Sequence, residues 1–379
     1  MPVVLVNARV LAPGGWHEGG LVIEAGHIAA LLPAGDGAMP GDRVIDVGNR
    51  LILPGFVDTQ VNGGGGILFN DEPNRAGIEA IGRAHAAFGT TAFLPTLISD
   101  SPEVIERARS AVDSAIVDRV PGVAGIHIEG PVLADSRAGV HDPARLQGLD
   151  ARLLEILCRP HRGVTLLTLA PERVLVADLE RLRAAGVVLS AGHSAATASE
   201  VETALRHGLS GFTHLYNAMT PTTAREPGVV GAALADEQSY CGLIVDGRHV
   251  DPRVLRLALR TKRQDRFMLV TDAMPAAGTT LRQFDLQGRA ITIEKDWCVD
   301  ANGRLAGTVL TMARAVRNAT NLLDLPLERA VRMASEYPAR FLGLAPLHGL
   351  LVPGARADLV IADPALESLE TWIGGGRVA

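Results

Sequence analysis

The sequence has little of what marks exported, membrane-bound or nucleic-acid-binding proteins. Its three cysteines, Cys158, Cys241 and Cys298, are far apart and odd in number, which excludes a disulfide framework and a Cys-x-x-Cys metal site. No apolar run reaches the roughly 18 residues that a membrane-spanning helix needs. A net charge of -6 without a local Lys/Arg cluster gives no attraction for nucleic acid.

The start of the chain also lacks the basic segment of a signal peptide, since residues 1–9 run directly into strand-like sequence. These absences predict a cytoplasmic protein with no membrane attachment and no nucleic-acid partner. The remaining composition is that of an ordinary globular protein, with 47% hydrophobic and 21% charged residues. A chain of 379 residues has room for a barrel and a smaller appended domain.

The two ends of the chain are predicted to form that smaller domain together. Short strands broken by Gly and Pro turns cover residues 3–11, 20–25, 27–32 and 43–53. Further strands at residues 357–362 and 370–373 would close the module. We therefore expect a discontinuous β-sandwich domain made of residues 1–53 and 345–379.

Between these ends, strands alternate with amphipathic helices, which is typical of βαβ units and a parallel sheet. About eight strands are expected, the number that closes a (β/α)8 TIM-like barrel. We predict that residues 54–344 form this α/β barrel. The predicted helices cover residues 75–88, 102–118, 151–159, 171–185, 197–207, 251–259, 311–323 and 326–344.

Four of the predicted barrel strands end in an ionisable residue, namely Glu129, His193, His214 and Asp272. The active face of such a barrel lies at the carboxyl ends of its strands. One histidine alone could be a core residue bonded to the backbone. Four strand ends with His, His, Glu and Asp instead indicate a shared site, because burying an unpaired charge is costly.

Three such ligands with an open position are typical of a catalytic metal centre. Glu129, His193 and His214 are the predicted ligands. A metal held there would polarise a carbonyl and lower the pKa of a bound water. Asp272 is predicted to take the proton from that water and to pass it to the leaving group. The reaction class is metal-assisted hydrolysis.

The motifs around these residues resemble those of the N-acetylglucosamine-6-phosphate deacetylases of the amidohydrolase superfamily. The resemblance extends from the first barrel strand to residues 334–339, over most of the chain. The motifs are PGFVD (54–58), HIEGP (127–131), AGHS (191–194), THLYNAM (213–219), DGRH (246–249), VTDA (270–273) and ASEYPA (334–339).

The resemblance implies removal of the acetyl group from N-acetyl-D-glucosamine 6-phosphate. It assigns Glu129, His193 and His214 to the metal and Asp272 to acid-base catalysis. It also implies substrate contacts by Val140, His141, Asn217, Ala218, Arg225, His249, Leu305, Ala306 and Gly307. From position alone, a loop arginine such as Arg225 is more often a solvated charge, and His249 could equally cap the helix that begins near residue 251. A homodimer is expected on the resemblance, and it could complete the phosphate pocket.

Many amidohydrolases carry His-x-His at the end of the first strand to hold a second metal, where this sequence has Gln60-Val61-Asn62. Neutral amides are poor ligands for transition metals. One divalent metal ion per subunit is therefore predicted, with Zn²⁺ as the first choice and Fe²⁺, Mn²⁺ or Co²⁺ as alternatives.

Two other functions remain open at this point. The chain could act on a related substrate, such as the galactosamine epimer or a cyclic amide, but a cyclic-amide hydrolase would not need Asn217 and Arg225 for a phosphate. It could also be a catalytically inactive sugar-phosphate sensor, although a sensor has no use for the base Asp272.

Overall fold

The structure is a computed structural model that describes residues 1–36 and 40–379. Residues 37–39, within the predicted first segment of the small domain, lie outside the described residues. The elements form a parallel α/β barrel, a sheet built from both chain ends and a small antiparallel sheet near the barrel mouth. None of the described helices has the length and apolar character that crossing a bilayer requires.

The barrel contains, within the described residues, eight parallel strands that pair in sequence order. Each is buried along almost its whole length, because helices cover the outer face. The last and first strands approach each other, since the Asp272 N–H donates to the Gln60 carbonyl at 3.1 Å. The strands are Phe56–Val61, Thr90–Ile98, Gly125–Glu129, Val164–Leu169, Val188–Ala191, Leu209–Phe212, Tyr240–Leu243 and Phe267–Leu269. The predicted (β/α)8 TIM-like barrel is confirmed.

The helices begin where the sequence offers capping residues. Ser101 and Thr197 accept hydrogen bonds from the first turns of their helices, and Thr197 forms a capping box with Glu200. The helices are Arg75–Ala86, Pro102–Val117, Ala151–Cys158, Val176–Ala184, Ala198–Arg206, Gly228–Ala235, Pro252–Ala258, Met312–Leu323, Leu327–Ala334 and Glu336–Phe341.

Three helical segments differ from the sequence prediction. The helix expected over residues 171–185 begins only at Val176, after a 3-10 turn at Pro171–Arg173. The expected helix over residues 326–344 is two helices that meet at Ser335, because Pro338 has no N–H to donate to Ala334 and its ring would clash with that carbonyl. The helix Gly228–Ala235 was not predicted. Its sequence, GVVGAALA, is apolar on every side and contains two glycines, so it shows no amphipathic pattern.

The two ends of the chain share one hydrogen-bonded sheet, as expected for the small domain. The C-terminal strand Leu359–Ala362 pairs antiparallel with Leu51–Pro54, which in turn pairs with Val3–Ala12. This sheet has its own buried cluster, which includes Leu5, Ile361 and Trp372. Its remaining strands are Gly15–Glu24, His27–Pro33, Arg43–Asp46, Leu369–Ile373 and Gly376–Arg377. The pairing supports the division of the chain at residues 53 and 344, which stays a prediction.

A four-stranded antiparallel sheet follows the last barrel strand and was not predicted from the sequence. We call it the insert sheet; its strands are Gln283–Leu286, Arg289–Glu294, Trp297–Val299 and Leu305–Thr308. Gln287 and Gly288 form its first turn, and both have positive φ, at 53° and 83°. Such a two-residue turn matches the twist of an antiparallel hairpin. The last of these strands brings Leu305 and Gly307 to the barrel mouth. A separate short hairpin pairs Gly63–Gly64 with Ile67–Leu68.

Candidate metal centre and active site

The four predicted residues lie together at the carboxyl ends of the barrel strands. Glu129 is the last residue of its strand, and the two histidines each follow their strand by two residues. Asp272 follows the eighth strand. All four are at most 9% exposed. The barrel therefore brings together residues up to 143 positions apart, counted from Glu129 to Asp272.

Glu129, His193 and His214 point their ligand atoms at one another. Each offers one ligand atom, and these atoms all lie within 4.8 Å of one another. His214 Nε2 is 3.0 Å from Glu129 Oε1 and 3.0 Å from His193 Nε2. This donor set of two imidazoles and one carboxylate suits a divalent transition metal.

The hydrogen bonds around the two histidines also fit a metal. His193 Nδ1 lies 2.9 Å from the Arg137 carbonyl, so this nitrogen carries the proton and Nε2 keeps its lone pair for a ligand. That lone pair faces His214 Nε2. Two imidazole nitrogens and a carboxylate this close together form a donor set that could hold a cation.

The pKa values in the cluster follow from burial and from these contacts. Burial acts to raise the pKa of Glu129, yet hydrogen bonds with His193 and His214 hold it well below its usual value. Burial acts to lower the pKa of His214, but Glu129 raises it above the usual value of histidine. Without a cation, the His214–Glu129 pair therefore retains a proton that a metal would replace.

Asp272 is held by two side-chain amides. Asn62 Nδ2 donates to Asp272 Oδ1 at 2.7 Å, and Gln60 Nε2 donates to the same oxygen at 3.1 Å. Gln60 Nε2 also lies 3.0 Å from Glu129 Oε1. The amides at the position expected for a second metal site thus act as donors to carboxylates. Burial, and after it the charge of Glu129, raises the pKa of Asp272 to about 6.

The backbone is strained at three of these four residues. His193, His214 and Asp272 have φ angles of 49°, 35° and 50°, in the left-handed region that residues with a Cβ rarely adopt. Such conformations cost about 1–3 kcal/mol each and concentrate at functional sites. The surrounding barrel holds these backbone conformations, in which the three side chains point towards a common centre.

His141 lies against this cluster from a loop that follows the third barrel strand. Its ring centroid is 4.5 Å from that of His193, and its Nε2 is 3.8 Å from Glu129 Oε2. Ser99 donates its backbone N–H to His141 Nδ1 at 3.3 Å. Because Nδ1 accepts, the neutral ring carries its proton on Nε2. Burial lowers the pKa of His141 to about 3, so the ring is neutral at physiological pH.

His249 is fixed by an aspartate of its own turn. Its Nδ1 lies 2.7 Å from Asp246 Oδ2, and both side chains are buried. Burial acts to raise the pKa of Asp246, but the bond with His249 holds it below its usual value. The ring therefore presents Nε2 as the free nitrogen at the barrel mouth.

A cavity of about 660 Å³ opens above these residues and is large enough for a small polar ligand. Most of the predicted substrate contacts border it, and Ala306 is buried beside them. Arg225, in contrast, is exposed in the loop before Gly228 and is not among the described residues that line the cavity. The predicted contacts that line it are Val140, His141, Asn217, Ala218, His249, Leu305 and Gly307.

Several contributors to the cavity were missed from the sequence. Arg137, Arg289 and Arg304 line it; Arg289 begins the second strand of the insert sheet, and Arg304 directly precedes its last strand. The alternation of QFDL and RAITIE around a Gln-Gly pair was the signal that could have revealed this hairpin. His127, the first residue of the HIEGP motif, is a core residue whose ring forms hydrogen bonds with Thr96 and Thr168.

Known proteins are similar to this chain in sequence. The sequence model of the amidohydrolase family matches residues 51–378. An N-acetylgalactosamine-6-phosphate deacetylase from Shewanella sp. (strain ANA-3) is 46% identical over 86% of this chain and 82% of its own. An N-acetylglucosamine-6-phosphate deacetylase from Haemophilus influenzae is 34% identical over 94% of this chain and 93% of its own.

A solved structure agrees closely over the whole chain. The N-acetylglucosamine-6-phosphate deacetylase from Pasteurella multocida superposes with a TM-score of 0.96 at 32% identity, covering 100% of this chain and 99% of that one. This agreement includes both the barrel and the sheet built from the chain ends. The chain therefore belongs to the amidohydrolase family, within which its relatives are N-acetylhexosamine-6-phosphate deacetylases.

Proposed function

We propose that this protein hydrolyses the acetamide of N-acetyl-D-glucosamine 6-phosphate and releases acetate and D-glucosamine 6-phosphate. The observation that carries the proposal is the convergence of Glu129, His193 and His214 beside an Asp272 that two amides hold in place. The activity of the relatives supports the same substrate class.

The three ligands would hold one divalent metal, for which zinc is our first choice. When bound, such a metal supplies a Lewis acid that polarises the amide carbonyl and acidifies a water molecule. At the position where a second metal would be held, Gln60 and Asn62 direct their N–H groups at carboxylates. One metal per subunit is the consequence.

Asp272 performs both proton transfers. As a carboxylate it takes a proton from the attacking water, whose oxygen bonds to the acetyl carbon. It returns that proton to the amide nitrogen as the C–N bond breaks, which gives the amine and acetic acid, and the acid ionises to acetate in water. The donors Asn62 and Gln60 fix the Asp272 carboxylate for this task.

The two remaining histidines contact the substrate. His141 is a neutral donor through Nε2–H, because Ser99 occupies its Nδ1. His249 presents Nε2 to the sugar or to the amide oxygen, because Asp246 holds its Nδ1. The backbone around Asn217 and Ala218 and the end of the insert sheet border the sugar from the other sides.

The protein acts in the cytoplasm and pairs with a second copy. Arg225 would bind the phosphate in such a pair, since its exposed loop lies outside the cavity of its own subunit. A guanidinium suits this task because it donates two parallel hydrogen bonds to phosphate oxygens and stays charged.

A second candidate substrate is the galactosamine epimer. It is favoured by the Shewanella relative, which is 46% identical and named for N-acetylgalactosamine 6-phosphate. The two substrates differ at one hydroxyl of the sugar and use the same metal centre and base. The mechanism is the same for both.

Acetate release tests the proposal. The metal-loaded protein would be assayed with the two epimeric N-acetylhexosamine 6-phosphates and with unphosphorylated N-acetylglucosamine. We expect acetate release from N-acetylglucosamine 6-phosphate and little release from unphosphorylated N-acetylglucosamine. A much higher kcat/KM for the galactosamine epimer would reassign the substrate. No release from any of the three, with intact sugar-phosphate binding, would indicate a binding protein.

A further inference from the structure

Arg137 lines the cavity with a guanidinium that has no partner. In the part of the chain that the structure describes, this group forms no hydrogen bond or ion pair. The other two arginines of the cavity wall are engaged, since Arg289 donates to the Val140 carbonyl and Arg304 Nη1 donates to that of Gly139 at 2.8 Å. Arg137 is thus a cation that the cavity leaves available to a ligand.

The backbone that carries Arg137 is fixed to the metal centre. His193 Nδ1 donates to the Arg137 carbonyl at 2.9 Å, and the Ala134 N–H donates to the His193 carbonyl at 2.9 Å. Gly139 also packs on the His193 ring, because a Cβ there would lie 3.3 Å from its Cε1. The position of Arg137 relative to the metal ligands is therefore defined by the fold.

The insert sheet holds the same segment from the opposite side. Arg289 and Arg304 bind the carbonyls just before His141, and Gln287 Nε2 donates to the Ser99 carbonyl at 3.1 Å. The segment of residues 135–141 is consequently held between His193 and the insert sheet. A side chain presented from it loses less freedom on binding than one on an unsupported loop.

Charge balance indicates what Arg137 would bind. The cavity contains the carboxylates of Glu129, Asp272 and Asp135, and Asp135 is already paired with Arg173 at 2.8 Å. Arg289 and Arg304 offset part of this negative charge but already donate to carbonyls, so a dianionic phosphate needs a cation whose donors are free. The unpartnered guanidinium of Arg137 meets this need, because it matches phosphate oxygens with parallel donors.

We infer that Arg137 binds the 6-phosphate of the substrate from within the same subunit and thereby selects phosphorylated sugars. This inference rests on the proposed function. Arg137 would contact the phosphate without a second copy of the chain, whereas Arg225 would contact it only in a pair of subunits. Arg289 and Arg304 are positioning residues that support the segment carrying Arg137.

Steady-state kinetics of Arg137→Met and Arg137→Lys test the inference. Loss of a charge-assisted contact should raise the KM for the phosphorylated sugar by about tenfold or more in the Met variant, with kcat nearly unchanged. Lysine keeps the positive charge but lacks the paired N–H donors of a guanidinium, so the KM of Arg137→Lys should lie between those of the wild type and of Arg137→Met. Arg107→Met, an exposed arginine on the outer helix Pro102–Val117, is the matched control and should equal the wild type.

Calorimetric binding of glucosamine 6-phosphate provides a readout that does not require turnover. Weaker binding by Arg137→Met than by the wild type, with unchanged binding of unphosphorylated glucosamine, supports the inference even if no acetate is released. Equal affinities of the Met variant and the wild type overturn it while leaving the deacetylase proposal intact. A wild type that binds no sugar phosphate overturns both.

Discussion

Asn62 Nδ2 donates a hydrogen bond of 2.7 Å to Asp272 Oδ1 across the line where the barrel closes. The two residues are 210 positions apart in the chain. An amide that could have been a weak metal ligand instead holds the carboxylate that is proposed to move the proton. This relationship supports both the proposed single metal and the proposed role of Asp272 as the base.

Replacing Asn62 should therefore impair catalysis more than binding. In Asn62→Leu the buried carboxylate loses a charge-assisted donor, which is worth about 1.5–3 kcal/mol. We expect kcat to fall by about 10- to 100-fold with little change in KM. Asn62→Gln, which keeps the amide, should retain more activity. An increased KM with an unchanged kcat would contradict the proposed role of Asn62 in holding Asp272.

The metal content should be one equivalent per subunit. Elemental analysis after dialysis should find one divalent metal in the wild type and far less in His193→Ala or Glu129→Gln, because each variant removes one of three ligands. Asp272→Asn should keep the metal and serves as the control. Two equivalents that both track activity would refute a single-metal site.

Asp272→Asn should fold and bind metal but lose turnover. General acid-base catalysis contributes about 10²- to 10⁴-fold, so kcat should fall within that range. Unfolding temperatures compared with the wild type show whether the fold is preserved. A folded, metal-loaded variant with wild-type kcat would remove Asp272 from the mechanism.

On the acid side, the pH dependence of kcat/KM should follow the ionisation of Asp272. Burial, followed by the charge of Glu129, raises its pKa to about 6 in the folded protein. The base is active only when ionised, so kcat/KM should fall as the pH drops through this pKa, by about tenfold per pH unit. A bound cation favours the carboxylate and moves this fall to lower pH. An activity that increases below pH 6 would contradict the assignment.

The sequence was informative where buried apolar strands end in ionisable residues. Glu129, His193, His214 and Asp272 could be predicted because an apolar run gives the strand and the following charge requires a partner. The contact between Asn62 and Asp272 could not, because it exists only when the first and eighth strands meet. The insert sheet was missed since its strands are short and half exposed, and no buried run marks them.

The cavity wall was predicted less completely for a related reason. Arg137, Arg289 and Arg304 are ordinary charged residues in sequence. Only the folded chain shows that Arg289 and Arg304 bind carbonyls while Arg137 has no partner among the described residues. Arg225 could be named from the family resemblance, and the structure places it in an exposed loop that is not among the described residues lining the cavity.

Metal-dependent acetate release tests the central claim most directly. The protein would be stripped of metal with a chelator and then titrated with zinc while acetate release from N-acetylglucosamine 6-phosphate is followed. We expect no activity in the stripped protein and full activity at one equivalent per subunit. Unchanged activity after complete removal of the metal would contradict the role of Glu129, His193 and His214.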